Sequence, residues 1–363
     1  MKFDAVVIGA GLSGITVAER LAQKNYRVLV VEKRAHIGGN CYDEYDRHHI
    51  LVHRYGPHIF HTRYKEVWKY LSRFTDWLPY KHKVLTYVKG QLLPFPVNRT
   101  TLNKFFGVNL KTKKEVEKFL AQKRDNSIKK IENSRDVVLS RYGQEIYEAF
   151  VENYSKKQWG LSPEKLDREV LERFPLRYDD NPYYFTDPYQ GIPKYGYTRM
   201  FQKMLEHPRI QILLQQDYRE ILEQINYKLL FVSAPIDEFF NYRYGKLLYR
   251  CLNFKFETYN RESYQPNSVI NYPTKEYKFT RITEMKKLTM QKSAKTTICK
   301  EYPGWKGVPC YPVPTPDQKK LYARYAQLAS QLKNVFFIGR LGTYRYLNMD
   351  QACKFSLDLV KKL

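Results

Sequence analysis

The residues best placed to do chemistry begin near the N-terminus with Gly9-Ala10-Gly11-Leu12-Ser13-Gly14. This loop closes an apolar run, Ala5-Val6-Val7-Ile8, and opens a helix-like stretch from Ile15 to Gln23. A second apolar run, Val28 to Val31, follows and ends at Glu32. Strand, tight turn, helix, strand and acid, in that order, are what a dinucleotide needs. Gly9 permits the turn, Gly11 lets backbone approach a pyrophosphate, and Gly14 lets helix and strand pack closely. The helix N-terminus offers N–H groups and a positive dipole to phosphates. Glu32 stands where an adenosine ribose would present its hydroxyls, and an acid there disfavours a 2′-phosphate.

Arginine and tyrosine carry the second signal. Arg173, Arg177, Arg250, Arg281 and Arg340 each sit beside aromatic or proline residues rather than in lysine runs. Guanidinium suits bidentate phosphate recognition, although each one alone is equally consistent with a structural salt bridge. Tyrosine is overused, at 32 of 363 residues, and can stack on a base or sugar while its hydroxyl reaches phosphate. Most of the 32 are expected in the core or at interfaces. The histidines His48, His49, His53, His58 and His61 form no H-E-x-x-H and have no cysteine at ligand spacing, so no metal is expected. No G-x-S-x-G elbow is present, and nothing suggests a serine or cysteine nucleophile.

The elements that must position these residues are short. The first part of a nucleotide-binding α/β domain is expected over residues 1 to about 75. Strand-like runs at 83–88 and 91–95 flank a hairpin turn at Lys89-Gly90. Residues 101–160 are helical in character, and prolines 163, 175, 182, 188 and 193 punctuate a loop-rich region. A helix is expected over 197–206 and a strand over 228–233. An antiparallel sheet follows over 241–315 and a helix over 321–332. A buried strand over 334–339 precedes a last helix. The chain thus leaves the nucleotide domain and returns. The expected FAD domain takes 1–78, 191–240 and 320–363. A helical domain takes 99–178, with a mobile loop near 161–177. A sheet domain takes 79–98, 179–190 and 241–319.

Composition sets outer limits. No apolar run approaches the roughly 18 residues a membrane span requires. The start, Met1-Lys2-Phe3-Asp4, runs straight into the first strand, leaving no room for a secretory signal. Five dispersed cysteines without C-x-x-C pairing suggest free thiols and a cytoplasmic protein. The net charge of +25 is spread out, and its densest stretch, Lys111 to Arg135, also holds Glu115, Glu117, Asp125 and Glu132. That reads as a solvated helical face. No helix-turn-helix, zinc-finger or RNP signature accompanies it, so no nucleic-acid partner is expected.

Together the motifs amount to a family resemblance. Gly38-Gly39-Asn40 resembles the extended flavoprotein signature and favours FAD over NAD. It is followed in order by Tyr55-Gly56-Pro57-His58-Ile59-Phe60-His61-Thr62, Lys157-Gln158-Trp159-Gly160, Gln190-Gly191-Ile192-Pro193 with Gly196-Tyr197-Thr198, Thr280-Arg281-Ile282, and Gly339-Arg340-Leu341-Gly342-Thr343-Tyr344-Arg345-Tyr346. The set closely resembles bacterial UDP-galactopyranose mutases over nearly the whole chain. The resemblance implies a Rossmann-like FAD domain with an inserted helical domain and an antiparallel sheet domain. It implies a non-redox isomerase that interconverts UDP-galactopyranose and UDP-galactofuranose on reduced FAD. The sugar would be carried as a covalent flavin N5 adduct, and the furanose would supply cell-surface polysaccharide. A homodimer is expected, and the electron donor is open. A mutase for an N-acetylated or deoxy hexose nucleotide, or an FAD-dependent oxidase, is the alternative.

The resemblance also assigns residues. Trp159 and Tyr154 would hold the nucleotide, with Phe150 before them on the same helix. Arg173 would be a mobile arginine reaching the pyrophosphate and Arg281 a second. Tyr184, Tyr311 and Tyr346 would hydrogen-bond phosphate oxygens, and Arg250 and Arg340 would meet the flavin or sugar end. Asn271 joins the substrate set, and His58 and His61 would lie by the isoalloxazine as catalytic residues with Arg173, Arg281 and Arg340. The cofactor would be held by Gly9, Gly11, Ser13, Gly14, Glu32, Lys33, Gly38, Gly39 and Asn40 at one end. His58, Ile59, Gly339, Arg340, Tyr346, Asn348 and Met349 would hold the other. Asn348 stands where the family usually has Asp, His82 where it has Asn, and Cys310 where it has a second Tyr.

Overall fold

The computed structural model describes residues 2–173 and 175–363; Met1 and Phe174, the latter inside the expected loop near 161–177, lie outside the described residues. The four-residue runs Ala5–Ile8 and Val28–Val31 are too short for helices and rich in β-branched valine, and both become fully buried strands. They join three later strands in one parallel sheet, ordered Ile210–Leu213, Val28–Val31, Ala5–Ile8, Leu229–Val232, Val335–Phe337. Alternation decides which side each residue faces. Ala5 and Val7 pack with Ile15, Phe201 and Leu357, from the helices Leu12–Gln23, Tyr197–Leu205 and Met349–Lys361. Val6 and Ile8 face the other layer, with Tyr218 and Phe239. The strand at Val335–Phe337 is half-buried rather than buried, because it pairs on one side only and forms a sheet edge. The first turn needs its glycines. Gly9 has φ +93°, and a Cβ at Gly14 would stand 2.0 Å from the Gly9 carbonyl oxygen.

A second sheet of seven strands runs in the order Pro309–Pro312, Tyr249–Tyr259, Thr296–Gly304, Arg281–Glu284, Val269–Asn271, Val84–Val88, Gln91–Phe95. The hairpin joining the last two turns at Lys89 and Gly90, both with positive φ, as a tight two-residue turn requires. The sheet is mixed rather than purely antiparallel: Val84–Val88 and Val269–Asn271 run parallel. Those strands come from distant parts of the chain, and no hairpin imposes an antiparallel pairing. A small third sheet pairs Tyr189–Pro193 with Phe60–Thr62 and Trp77–Leu78. The expected domain boundary between 190 and 191 therefore falls inside a strand.

The helical region packs Arg99–Phe106, Lys113–Lys123 and Ser134–Tyr142 around Leu102, Val116, Leu120 and Leu139. Thr112 with Glu115, and Asn133 with Asp136, form capping boxes that start the second and third helices. Lys113–Lys123 buries only Val116 and Leu120, so its charges face outward. A π-helical stretch, Tyr147–Glu152, then leads into the helix Asn153–Trp159, which ends at Gly160 with φ +69°. The segment after it is better anchored than its prolines suggest. Leu166, Val170 and Leu171 are buried in the helical core. Among the described residues no helix is long and apolar enough to cross a membrane.

Candidate functional site

Two cavities meet at the end of the parallel sheet where the strands finish. The first is built on the glycine turn. Gly9, Gly11, Ser13, Gly14, Glu32, Lys33, Gly38, Gly39 and Asn40 line it at one end, and His58, Gly339, Arg340, Asn348 and Met349 at the other. A Cβ at Gly11 would have no atom nearer than 3.9 Å, so the space above that residue is open. The helix Leu12–Gln23 begins there with no side-chain cap, leaving its first N–H groups to a ligand. Glu32 is buried, and its Oε2 and Oε1 accept the N–H of Ala10 at 2.8 Å and of Arg34 at 2.9 Å. The carboxylate is held in place with lone pairs to spare for ribose hydroxyls. Arg34 donates from Nη2 to Asn40 at 3.0 Å, while its buried Nη1 has no partner among the described residues. An orphaned guanidinium nitrogen beside a naked helix N-terminus fits a dinucleotide pyrophosphate.

Sequence reasoning missed part of this wall. Ser233, Ala234 and Pro235 line the cavity at the end of Leu229–Val232, and a Cβ at Gly9 would strike the Ser233 hydroxyl. The signal was available, since ligands gather at the carboxyl ends of parallel strands. Two residues expected at the cofactor do not line this first cavity. Ile59 packs against the core around Ile50, Tyr80 and Met285, and borders only the second cavity. Tyr346 likewise lines only the second cavity, where it stacks on Tyr311 with ring centroids 5.3 Å apart.

The second cavity is a cleft between the helical region and the seven-stranded sheet. Phe150, Tyr154 and Trp159 reach it from the π-helical stretch and the helix it feeds. Arg173, Tyr184, Asn271, Arg281, Tyr311 and His61 line it too. The sheet contributes one cross-strand row, because Thr86 pairs with Asn271, Asn271 with Arg281, and Arg281 with Glu301. Arg281 Nη2 donates to the Tyr154 hydroxyl at 2.7 Å, and its Nε lies 3.5 Å from Glu301 Oε2. Burial pushes the Glu301 carboxyl up, and the Arg281 cation pulls it back. Burial also raises Tyr154, and Tyr184 to about 12, so both hydroxyls keep their protons and can donate. Arg173, exposed at the C-terminal end of Glu169–Glu172, donates from Nε to the Val170 carbonyl and lies 3.9 Å over the Tyr346 ring.

The two cavities share a wall made of His58, Arg340, Asn348 and Met349. Arg340 donates from Nε to the Leu347 carbonyl at 2.6 Å. His58 Nδ1 meets the Gly56 carbonyl at 2.9 Å, so that nitrogen carries the proton and Nε2 keeps its lone pair. Burial, with His53 and the Arg340 cation nearby, lowers the ring to about 3, and His58 is neutral. His61 is different: its Nδ1 pairs with Asp187 Oδ2 at 2.6 Å and its ring stacks on Phe185 at 3.6 Å.

Two of the arginines are structural. Arg250 is not part of either lining. It donates from Nε to Gln158 O and from Nη2 to Lys157 O, each at 2.9 Å, and lies over Trp305. It therefore caps the carbonyl end of the helix that carries Tyr154 and Trp159. Arg177 borders the cleft, but its guanidinium is spent on the carbonyls of Asn181, Tyr183 and Tyr184. Of the five clustered histidines, His49 is exposed and His53 buried, and among the described residues no group of His, Cys, Asp and Glu is placed to hold a metal.

Comparison with known proteins follows the same outline. A family model for UDP-galactopyranose mutase matches residues 149–346, and one for NAD(P)-binding Rossmann-like domains matches 7–74. A probable UDP-galactopyranose mutase of Klebsiella pneumoniae is 40% identical, over 96% of this chain and 91% of its own. A dTDP-fucopyranose mutase of Escherichia coli is 37% identical, over 97% of this chain and 96% of its own. The crystal structure of a reduced UDP-galactopyranose mutase superposes with a TM-score of 0.79 at 16% identity, covering 99% of this chain and 93% of that one, which supports the fold. The chain therefore belongs to the UDP-galactopyranose mutase family, a family of isomerases built on a Rossmann-like nucleotide-binding core.

Proposed function

We propose that this protein interconverts UDP-galactopyranose and UDP-galactofuranose, with reduced FAD in the glycine-lined cavity, and so supplies furanose for cell-surface polysaccharide. The observation that carries the reading is the shared wall at His58, Arg340, Asn348 and Met349. A dinucleotide laid along the glycine turn would end there, against a cleft rich in arginine and tyrosine. The glycine-lined cavity would hold FAD, which when bound and reduced would supply a nucleophile at flavin N5.

The chain's own groups do the rest. Trp159 and Phe150 offer aromatic faces to the uracil. Arg281 and Arg173 neutralise the diphosphate as it departs, with the Tyr154, Tyr184, Tyr311 and Tyr346 hydroxyls as donors. Glu301 fixes Arg281 and keeps the cation from collapsing onto the sugar. His58 presents an unprotonated Nε2 at the shared wall, where it can accept a hydrogen bond from a sugar hydroxyl.

The relative that acts on a dTDP-fucose supports a second choice of sugar on the same chemistry. Dithionite-reduced, FAD-loaded protein incubated with UDP-galactose and dTDP-fucose separately, with products resolved by chromatography, decides between them. Furanose from UDP-galactose is expected. Furanose from dTDP-fucose alone would move the assignment to the deoxy sugar.

A further inference from the structure

Lys157 opens the Lys157-Gln158-Trp159-Gly160 motif, yet its side chain lines neither cavity and has no part in the chemistry above. It leaves the helix Asn153–Trp159 and enters the loop that joins the strands Val269–Asn271 and Arg281–Glu284. There Nζ meets the carbonyl oxygens of Thr274 at 3.0 Å and of Tyr277 and Phe279 at 2.9 Å each, and that of Tyr272. Among the described residues none of these four oxygens accepts a backbone N–H, because the loop has no ladder of its own.

An ammonium has three N–H bonds, and this cage has four oxygens. Charge against converging dipoles therefore holds the group as much as directed hydrogen bonds do, as where carbonyl oxygens replace the hydration shell of K+. Spacings of 2.9 to 3.0 Å suit K+ or NH4+ and are too wide for Mg2+, which takes oxygens at about 2.0–2.1 Å. Burial lowers the Lys157 ammonium to about 8, which still leaves it charged at neutral pH.

We propose that Lys157 is a positioning residue whose ammonium fills a monovalent-cation site made by the carbonyls of Tyr272, Thr274, Tyr277 and Phe279, and so sets the hairpin bearing Asn271 and Arg281 against the helix bearing Tyr154 and Trp159. The consequence for ligand binding rests on the nucleotide-sugar reading above; the cation site does not. Asn271 and Arg281 are cross-strand partners at the two ends of the loop, and both line the cleft. The Tyr272 N–H donates to the Thr280 carbonyl at 2.9 Å and closes the neck of the loop. Arg281 donates to the Tyr154 hydroxyl at 2.7 Å. Tyr154 and Lys157 stand three apart on one helix and share a face, so the helix grips the hairpin at both the guanidinium and the loop. Without a cation, four carbonyls lose their partner together, and the alignment of Arg281 with Tyr154 goes with them.

Oxidised, FAD-loaded protein is titrated with UDP at one ionic strength in choline chloride, NaCl, KCl and NH4Cl. Wild-type affinity is expected to be the same in all four, because Lys157 fills the site. Lys157→Ala removes that cation and leaves room for another. In choline chloride, whose cation is too bulky to enter, it is expected to bind UDP about tenfold more weakly, the scale of one lost hydrogen bond to a charged group. KCl or NH4Cl should restore most of the affinity, and NaCl less. Lys157→Met, which keeps a stem in the site without a charge, should show the same loss and no recovery. Wild-type affinity of Lys157→Ala in choline chloride would overturn the assignment. So would a loss that K+ and NH4+ leave in place, the result for a lysine that acts by packing alone, or recovery in the methionine variant as well. If Lys157→Ala is unfolded in choline chloride, Tm decides. It should rise in KCl and NH4Cl by more than the wild-type Tm does, and an equal rise would overturn the cation site. Wild-type protein that does not bind UDP would remove the nucleotide-sugar reading and the positioning role with it, while the Tm comparison would still judge the cation site.

Discussion

At the scale of single residues, Gly11 and Arg173 give the sharpest tests. Gly11 has an ordinary backbone, and a Cβ there meets nothing closer than 3.9 Å. Gly11→Val should therefore fold with wild-type stability yet lose FAD, because the new side chain fills the space a pyrophosphate needs. Absorbance of the purified variant reports it, and full flavin occupancy would refute the cofactor placement. Arg173 is exposed, and among the described residues its Nε donates to the Val170 carbonyl while its guanidinium lies over Tyr346. Arg173→Ala should reduce turnover by about a hundredfold or more with flavin content and Tm unchanged, as loss of one charge donor does. Arg173→Lys should recover part of that, since an ammonium cannot span two oxygens. The arginines also show where reading a sequence stops. Arg250 and Arg281 have similar aromatic neighbours in sequence, but one caps a helix and the other faces the cleft. Arg250 lies at a register shift on one strand and Arg281 within a regular row on another, paired with Asn271 and Glu301, and no residue pattern announces either placement. The glycine turn was legible because each glycine has a local steric reason.

At the scale of elements, the helix Asn153–Trp159 carries Tyr154 and Trp159 into the end of the cleft proposed for the nucleotide. Trp159→Ala should weaken UDP binding by about 1–2 kcal/mol, taking stacking on a base as the guide. Titration of UDP into the oxidised protein measures it, and unchanged affinity would return Trp159 to the core. Arg250→Met should act indirectly. It leaves the Lys157 and Gln158 carbonyls uncapped, so stability should fall by about 2–4 kcal/mol and UDP affinity with it, while flavin content holds. A loss of flavin with intact UDP binding would contradict that placement. Short valine-rich strands and the Lys89-Gly90 hairpin could be read from the sequence because their determinants are adjacent residues. The parallel pairing of Val84–Val88 with Val269–Asn271 could not, because it is set by packing between distant segments. The π-helical stretch that turns Phe150 and Tyr154 toward the cleft leaves no compositional trace either.

At the scale of the whole molecule, burial of neutral histidines couples stability to pH. His53 accepts the His58 N–H at Nδ1, and burial lowers the ring to about 4. Asp43, 4.0 Å from Nε2, would favour the charged ring, but its oxygens are taken by the N–H groups of Tyr197 and Thr198. The unfolded chain binds a proton at His53 below about 6.5 and the folded chain does not, so stability falls as pH drops through that range. Between pH 7.5 and 5 this amounts to about 2 kcal/mol. His53→Phe should be less stable than wild type at pH 7.5, with the gap narrowing by that amount at pH 5. Denaturant unfolding at the two pH values measures it, and a constant gap would mean the folded ring takes up its proton as the unfolded one does. The return of the chain to the parallel sheet was legible from the strand at Lys228–Ser233 and the glycine after Ile338, and the meeting of two cavities at one wall was not. That meeting is the centre of the functional account, and one measurement tests it most directly. Anaerobic, dithionite-reduced, FAD-loaded protein is mixed with UDP-galactose, the flavin spectrum is followed, and the products are separated. The account predicts UDP-galactofuranose at equilibrium with the flavin still reduced and no electron acceptor consumed. Flavin oxidation matched to an oxidised sugar, or no furanose product, would contradict it.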